Sequence, residues 1–211
     1  MSANRSRPST RRGLRVDGPN LALRYPARRD ATALYGLASD ARVTRYFSWG
    51  PYRDPEEARA WVRSLPPRRA NGTALEFALV DASDVPIGII MLCEFAARDH
   101  RAIVGTWLGR AHWGTGANDE AKALISALAF GPLGLRRLAA YADVRNLRSG
   151  AALERIGFTR EGELRDYHRH SGRPRTVGLY SLLLREWRAS PLSAVPTRVS
   201  GVVPTAFRPP D

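Results

Sequence analysis

A strand-like run, a glycine turn and an amphipathic helix follow one another without a break in residues 102–130, AIVGTWLGRAHWGTGANDEAKALISALAF. Residues 102–109 have the β-branched and aromatic content of a strand. Ala121, Leu124, Ile125, Leu128 and Ala129 then recur at the spacing of a helix with one buried face. Asn118 and Asp119 are natural caps for that helix, and acids suit its first turn. The chain is therefore committed to a strand–turn–helix unit. Such a turn aims backbone N–H groups and the positive end of a helix dipole at one point, which makes an anion site. The glycines would equally serve a plain tight turn that needs positive φ. Two phosphate motifs are excluded. Gly109 and Gly114 have Walker-loop spacing, but Thr115 and Gly116 stand where Lys and Ser or Thr are needed. The third glycine of a dinucleotide fingerprint is replaced by Asp119.

Around this unit the pattern predicts a strand over 21–27, a helix capped by Asp30 through 39, and a helix from Asp54-Pro55-Glu56-Glu57 that Pro66-Pro67 stops. Strands are expected at 74–81, 86–95 and 135–144, a helix at 149–156 with Ser149 as cap, and a closing hairpin around Ser171-Gly172. Helices early, antiparallel strands in the middle and one β-helix-β unit make an α+β domain with a mixed sheet over 21–188. Residues 1–20, Arg- and Ser-rich without an apolar core, read as a basic disordered tail, although a transit peptide shares that composition. Residues 189–211 read as a Pro-rich disordered tail.

The net charge of +13 invites a nucleic-acid reading. However, 32 of the 33 basic residues are Arg and the one Lys is Lys122, a skew that codon bias in a GC-rich genome produces. No basic cluster interleaves with aromatics as a single-strand platform would, so nucleic acid is not expected as a direct substrate. No apolar run approaches the ~20 residues of a membrane span. Cys93 is the sole cysteine, which excludes an internal disulfide and points to a reducing compartment such as the cytoplasm. It reads as a small core residue.

The segments WGTGANDEA, DVRNLRS (143–149) and ALERIGF (152–158) resemble the GCN5-related N-acetyltransferases, the GNAT family. More narrowly they resemble the bacterial branch of ribosomal-protein-alanine N-acetyltransferases, the RimJ/RimL type. VTRYFSWGPY (43–52) and LYSLLLREW (179–187) extend the likeness, so it spans nearly all of 20–188 in order. The resemblance implies the GNAT fold, a mostly antiparallel sheet flanked by helices. In that fold a V-shaped splay between two parallel strands holds coenzyme A. It implies acetyl-CoA as co-substrate, an amine acceptor, no metal, and it admits a homodimer.

By the same resemblance, Trp113, Gly114, Thr115, Gly116, Ala117 and Asn118 would cradle the pyrophosphate. Ala111 stands where the family prefers Gln or Arg. Thr106, Trp107 and Leu108 would pair with the pantetheine arm. Asn146 would bond that arm, Ser149 would lie near the thioester sulfur, and Arg155 would meet the 3′-phosphate. Leu153 occupies the place where many relatives carry a tyrosine acid, leaving Ser149 as the substitute. Glu94 is the first candidate base and Glu76 the second. Tyr46, Trp49 and His168 would line the acceptor channel. The expected acceptor is a primary amine, with a protein or peptide N-terminus favoured because its α-amine costs about 1 kcal/mol to deprotonate at neutral pH, against roughly 4–5 for lysine. The alternatives are a small-molecule or antibiotic acyltransferase, a succinyl-CoA-dependent enzyme, and a catalytically weak module binding coenzyme A or RNA.

Overall fold

The computed structural model describes residues 13–170 and 172–207. Its strands are β1 (Arg15–Asp17), β2 (Ala22–Arg24), β3 (Ala74–Val80), β4 (Pro86–Ala96), β5 (Arg101–Leu108), β6 (Arg137–Asp143), β7 (Thr159–His170), β8 (Arg173–Leu183) and β9 (Arg198–Ser200). Its helices are α1 (Ala31–Ala38), α2 (Ala41–Thr44), α3 (Pro55–Ala70), α4 (Ala117–Phe130), α5 (Leu147–Arg155) and α6 (Leu184–Ala189). The strands form one sheet in the order β7-β8-β6-β5-β4-β3-β2-β1-β9, and every pairing is antiparallel except β5 with β6. That is the mixed α+β sheet of the GNAT fold.

Strand alternation divides the side chains between two cores. Leu75, Phe77 and Leu79 of β3 meet Leu124, Ile125 and Leu128 of α4 and Leu153 of α5 on one face. Ala78 and Val80 meet Leu34 of α1 and Ala58 and Val62 of α3 on the other. No described helix is long and apolar enough to cross a membrane.

Several sequence expectations are corrected. Pro66 and Pro67 do not stop α3, which continues to Ala70. The last turn is held by tertiary contacts instead, since Arg69 stacks 3.8 Å from the Tyr25 ring centre and Arg68 reaches Glu76. The cap of α4 is Gly116 rather than Asn118 or Asp119, because Gly116 at φ 86° turns the chain into the helix two residues early. The cap of α5 is Asn146, whose side chain accepts from the Ser149 N–H at 3.4 Å, so Ser149 lies inside the helix.

The domain limits also widen. Leu14 and Val16 are buried and β1 falls before residue 21. Beyond residue 188, β9 pairs with β1, and Leu192, Val203 and Phe207 are buried in the main core. The prolines of that segment suggested disorder, but the apolar residues between them have a surface to bury. Residues 1–12, Ser171 and 208–211, parts of the expected tails and hairpin turn, lie outside the described residues.

Candidate active site

Strands β5 and β6 pair in parallel through Arg101↔Arg137, Ala102↔Leu138 and Ile103↔Ala139, and then part. Beyond that point β5 leads to the glycine turn before α4 and β6 to the Asn146-capped turn before α5. Gly105, Thr106 and Trp107 are consequently half-exposed, although Val104 and Leu108 on either side are buried. An extended polar chain could pair with this open edge. The carbonyl of Leu108 already accepts from the Trp113 indole N–H at 3.0 Å.

At the wide end, Gly114 and Gly116 have φ of 77° and 86°, and a Cβ on either would meet nothing within 4 Å. The main-chain N–H groups of Gly114, Thr115, Gly116 and Asn118 find no acceptor among the described residues. Four such donors at the start of a 14-residue helix could hold an anion. Thr115 and Ala117 complete the turn, with the Ala117 N–H 3.4 Å from the Thr115 hydroxyl. Arg148, in the first turn of α5, stacks 3.9 Å over the Trp113 ring and links the two sides of the opening. Arg155 spans α5 and α4 as well, but its guanidinium makes a bidentate pair with Asp119. A phosphate would have to compete with that carboxylate for it.

The α1/α3 face of the same strands carries the candidate bases and aromatics. Glu94 sits at φ 49° in a bulge where the β4–β5 register shifts between Cys93 and Ala96. The bulge turns its side chain across β5. There the Tyr141 hydroxyl donates to Glu94 Oε2 at 3.4 Å and lies 3.0 Å from the Tyr167 hydroxyl. His168 meets the Tyr141 ring edge-on at 5.4 Å. Burial first, then the Tyr167 hydrogen bond and the Glu94 charge, raise the pKa of Tyr141 and keep its hydroxyl protonated. Cys93 beside it is pushed up to about 11, chiefly by burial, so its thiol is inert at neutral pH.

The two candidate bases are differently placed. Glu94 is solvent-exposed, whereas Glu76 is 0% exposed. Arg68 Nη2 stands 3.1 Å from Glu76 Oε1 but is not aligned for a hydrogen bond, and neither carboxylate oxygen accepts one. Burial raises the Glu76 pKa. Trp49 packs 5.5 Å from the rings of Phe47, Tyr52 and Trp107, so Trp107 faces the aromatic wall and joins its core. Tyr46 bonds the Arg145 carbonyl at 3.4 Å, tying the wall to the β6–α5 turn.

Tyr141, Tyr167, Arg148 and Lys122 did not emerge from sequence patterns. The tyrosines sit within strands whose sequence reads as ordinary half-buried sheet. Lys122 was marked only by being the chain's one lysine.

The chain is similar in sequence and fold to known proteins. The acetyltransferase (GNAT) domain profile matches residues 20–159. A Bacillus licheniformis protein named "Uncharacterized N-acetyltransferase p20" is 34% identical over 168 residues, 79% of this chain and 94% of the relative. "Putative ribosomal N-acetyltransferase YdaF" of Bacillus subtilis is 37% identical over 100 residues, 47% of this chain and 55% of the relative. Among solved structures, a GCN5-related N-acetyltransferase from Brucella melitensis aligns with a TM-score of 0.73 at 25% identity, covering 86% of this chain and 82% of that one.

Proposed function

This chain belongs to the GNAT family and is an N-acetyltransferase, and on that premise we propose that it moves an acetyl group from acetyl-CoA to the α-amine of a peptide or protein. The observation that carries the reading is the meeting of Glu94, Tyr141 and Tyr167 above β5, beside the point where β5 and β6 part. An acyl chain lying in the splay would present its carbonyl to that cluster.

The chain's own residues fit acetyl-CoA. The free N–H groups of Gly114, Thr115, Gly116 and Asn118 suit a pyrophosphate, and the open edge at Thr106, Trp107 and Leu108 suits the amides of pantetheine. Asn146, although it caps α5, stands at the mouth of the splay and would bond the same arm. Acetyl-CoA supplies the activated acyl carbon. Glu94, reachable from solvent on its bulge, takes the amine proton directly or through water, and Tyr141 orients that carboxylate. Ser149, whose hydroxyl is not needed as a cap because Asn146 holds that position, would face the departing sulfur. His168 and Trp49 flank the acceptor's path.

A peptide α-amine suits this site better than a polyamine. Arg45 and Arg145 stack on Tyr46 at 5.3 and 6.0 Å, and the chain carries +13 overall, which repels a polycation. One exposed carboxylate is also a modest base, adequate for an amine that costs about 1 kcal/mol to deprotonate. The ribosomal name of YdaF supports a RimJ/RimL-like acceptor of this class. The single free cysteine suits a reducing cytoplasm. A matched pair of peptides tests the proposal, one with a free N-terminus and blocked lysines, the other reversed, with thiol release followed. The first should react; preference for the second overturns the α-amine assignment.

A further inference from the structure

The chain's one lysine is not on its surface. Lys122, in the second turn of α4, is 5% exposed, and its ammonium donates to the Thr106 hydroxyl at 2.6 Å. Thr106 belongs to the open half of β5, three residues past the last β5–β6 pair. A buried ammonium has three donors to satisfy, and Thr106 is its hydrogen-bond partner among the described residues. A buried charge is expensive unless paired and hydrogen-bonded, and one hydroxyl partner offsets little of that cost. The same α4-facing side lacks another group, because Leu153, where many relatives place an acid tyrosine, is an apolar core residue here.

We propose that Thr106 and Lys122 form the relay that protonates the departing coenzyme A thiolate, with Thr106 Oγ1 giving its proton to sulfur and Lys122 Nζ replacing it. The inference rests on the acyl-CoA reading of the slot. The proton balance closes. The amine N–C bond forms, the C–S bond breaks, and the amine's proton leaves through Glu94. An S–H bond forms with the Thr106 proton, Lys122 is left neutral, and solvent reprotonates it. Thr106 is the catalytic residue and Lys122 the residue positioned behind it. Ser149 is then a hydrogen-bond donor to sulfur, since a lone serine hydroxyl has no source to refill it.

The acidity of the pair agrees. Burial lowers Lys122 to about 8, close to the ~8.5 of an ordinary thiol, so transfer between them is nearly balanced. The charged neighbour on its own helix is Asp119, which favours the ammonium and is itself held by Arg155 of α5; β5 meets Lys122 with the uncharged Thr106.

The test uses the full chain with Lys122→Met, Lys122→Arg and Thr106→Val. Lys122→Met removes a buried charge and should fold at least as stably as wild type. The first readout is independent of turnover: the thiol pKa of bound coenzyme A, followed by thiolate ultraviolet absorbance. An ammonium beside the thiol lowers that pKa, so Lys122→Met should raise it by about one unit while Lys122→Arg leaves it low. The second readout is acetyl transfer. All three variants should lose about 100-fold or more in kcat with little change in coenzyme A affinity, because pairing with β5 uses the main chain. Wild-type kcat should decline above about pH 8 as Lys122 loses its proton, and the Met variant should lack that limb. An unchanged bound-thiol pKa and unchanged kcat in Lys122→Met would overturn the relay. A wild-type enzyme inert toward every amine would overturn the proposed function, while the thiol titration still decides the relay.

Discussion

Gly116 caps α4 at φ 86°, and the space its missing Cβ would fill holds no protein atom within 4 Å. An aspartate there would put a side chain and a negative charge where the pyrophosphate is proposed to sit. Gly116→Asp should weaken coenzyme A binding at least tenfold, about 1.4 kcal/mol by calorimetry, and normal binding would refute the cradle. Ser149 admits a cleaner test than its sequence suggested. Were it the cap, its loss would mix helix stability with chemistry, but Asn146 holds that position. Ser149→Ala should therefore leave the melting temperature within a degree or two while slowing turnover, and a fully active variant removes Ser149 from the reaction. Legibility at this scale followed backbone demands. Glycines at the turn announced themselves because no other residue adopts those angles easily. Tyr141 and Lys122 did not, because their roles depend on partners 47 and 16 residues away in sequence.

Among elements, a cluster of charged and polar side chains ties the long outer hairpin of β7 and β8 to β6, beside the β6–β8 backbone ladder. Arg137 of β6 donates to both oxygens of Glu161, and the Ser181 hydroxyl donates to the same carboxylate at 2.6 Å. The Arg137 bonds, then Ser181, hold Glu161 at about 2. A carboxylate depressed in the folded state stabilises above its unfolded value near 4.3 and loses that contribution as pH falls toward 2. Stability should thus decline between about pH 4.5 and 2, and Glu161→Gln should flatten that part of the profile in urea titrations; an identical slope would deny the link. Partial solvent exposure keeps the effect modest. Order and type of the central elements were readable from periodicity, but β1, α2, α6 and β9 were not, and boundaries failed where contacts outweighed local signals. At the end of α3, Arg69 on Tyr25 outweighs Pro66 and Pro67. At the start of α5, the asparagine side chain reached the helix before serine did.

At the level of the molecule, the segment after α6 bears on the active site as well as on stability. Composition marked it as disordered, yet its apolar residues return to the core, and the Phe207 ring stands 4.7 Å from Phe95. Phe95 directly follows Glu94 in the bulge of β4. The C-terminal segment therefore braces, from the α4 face, the irregular backbone that aims the proposed base on the other. Phe207→Ala should leave a cavity worth roughly 3–5 kcal/mol, which in a domain of this size lowers the melting temperature by about 10 °C. Its effect on chemistry should be selective. Coenzyme A affinity, set by the turn before α4, should hold, while kcat falls as the bulge loosens around Glu94. Phe207→Leu, which refills most of the space, should recover both stability and rate. If Phe207→Ala loses stability but keeps full turnover at a temperature where it remains folded, the C-terminal segment stabilises the fold without positioning Glu94.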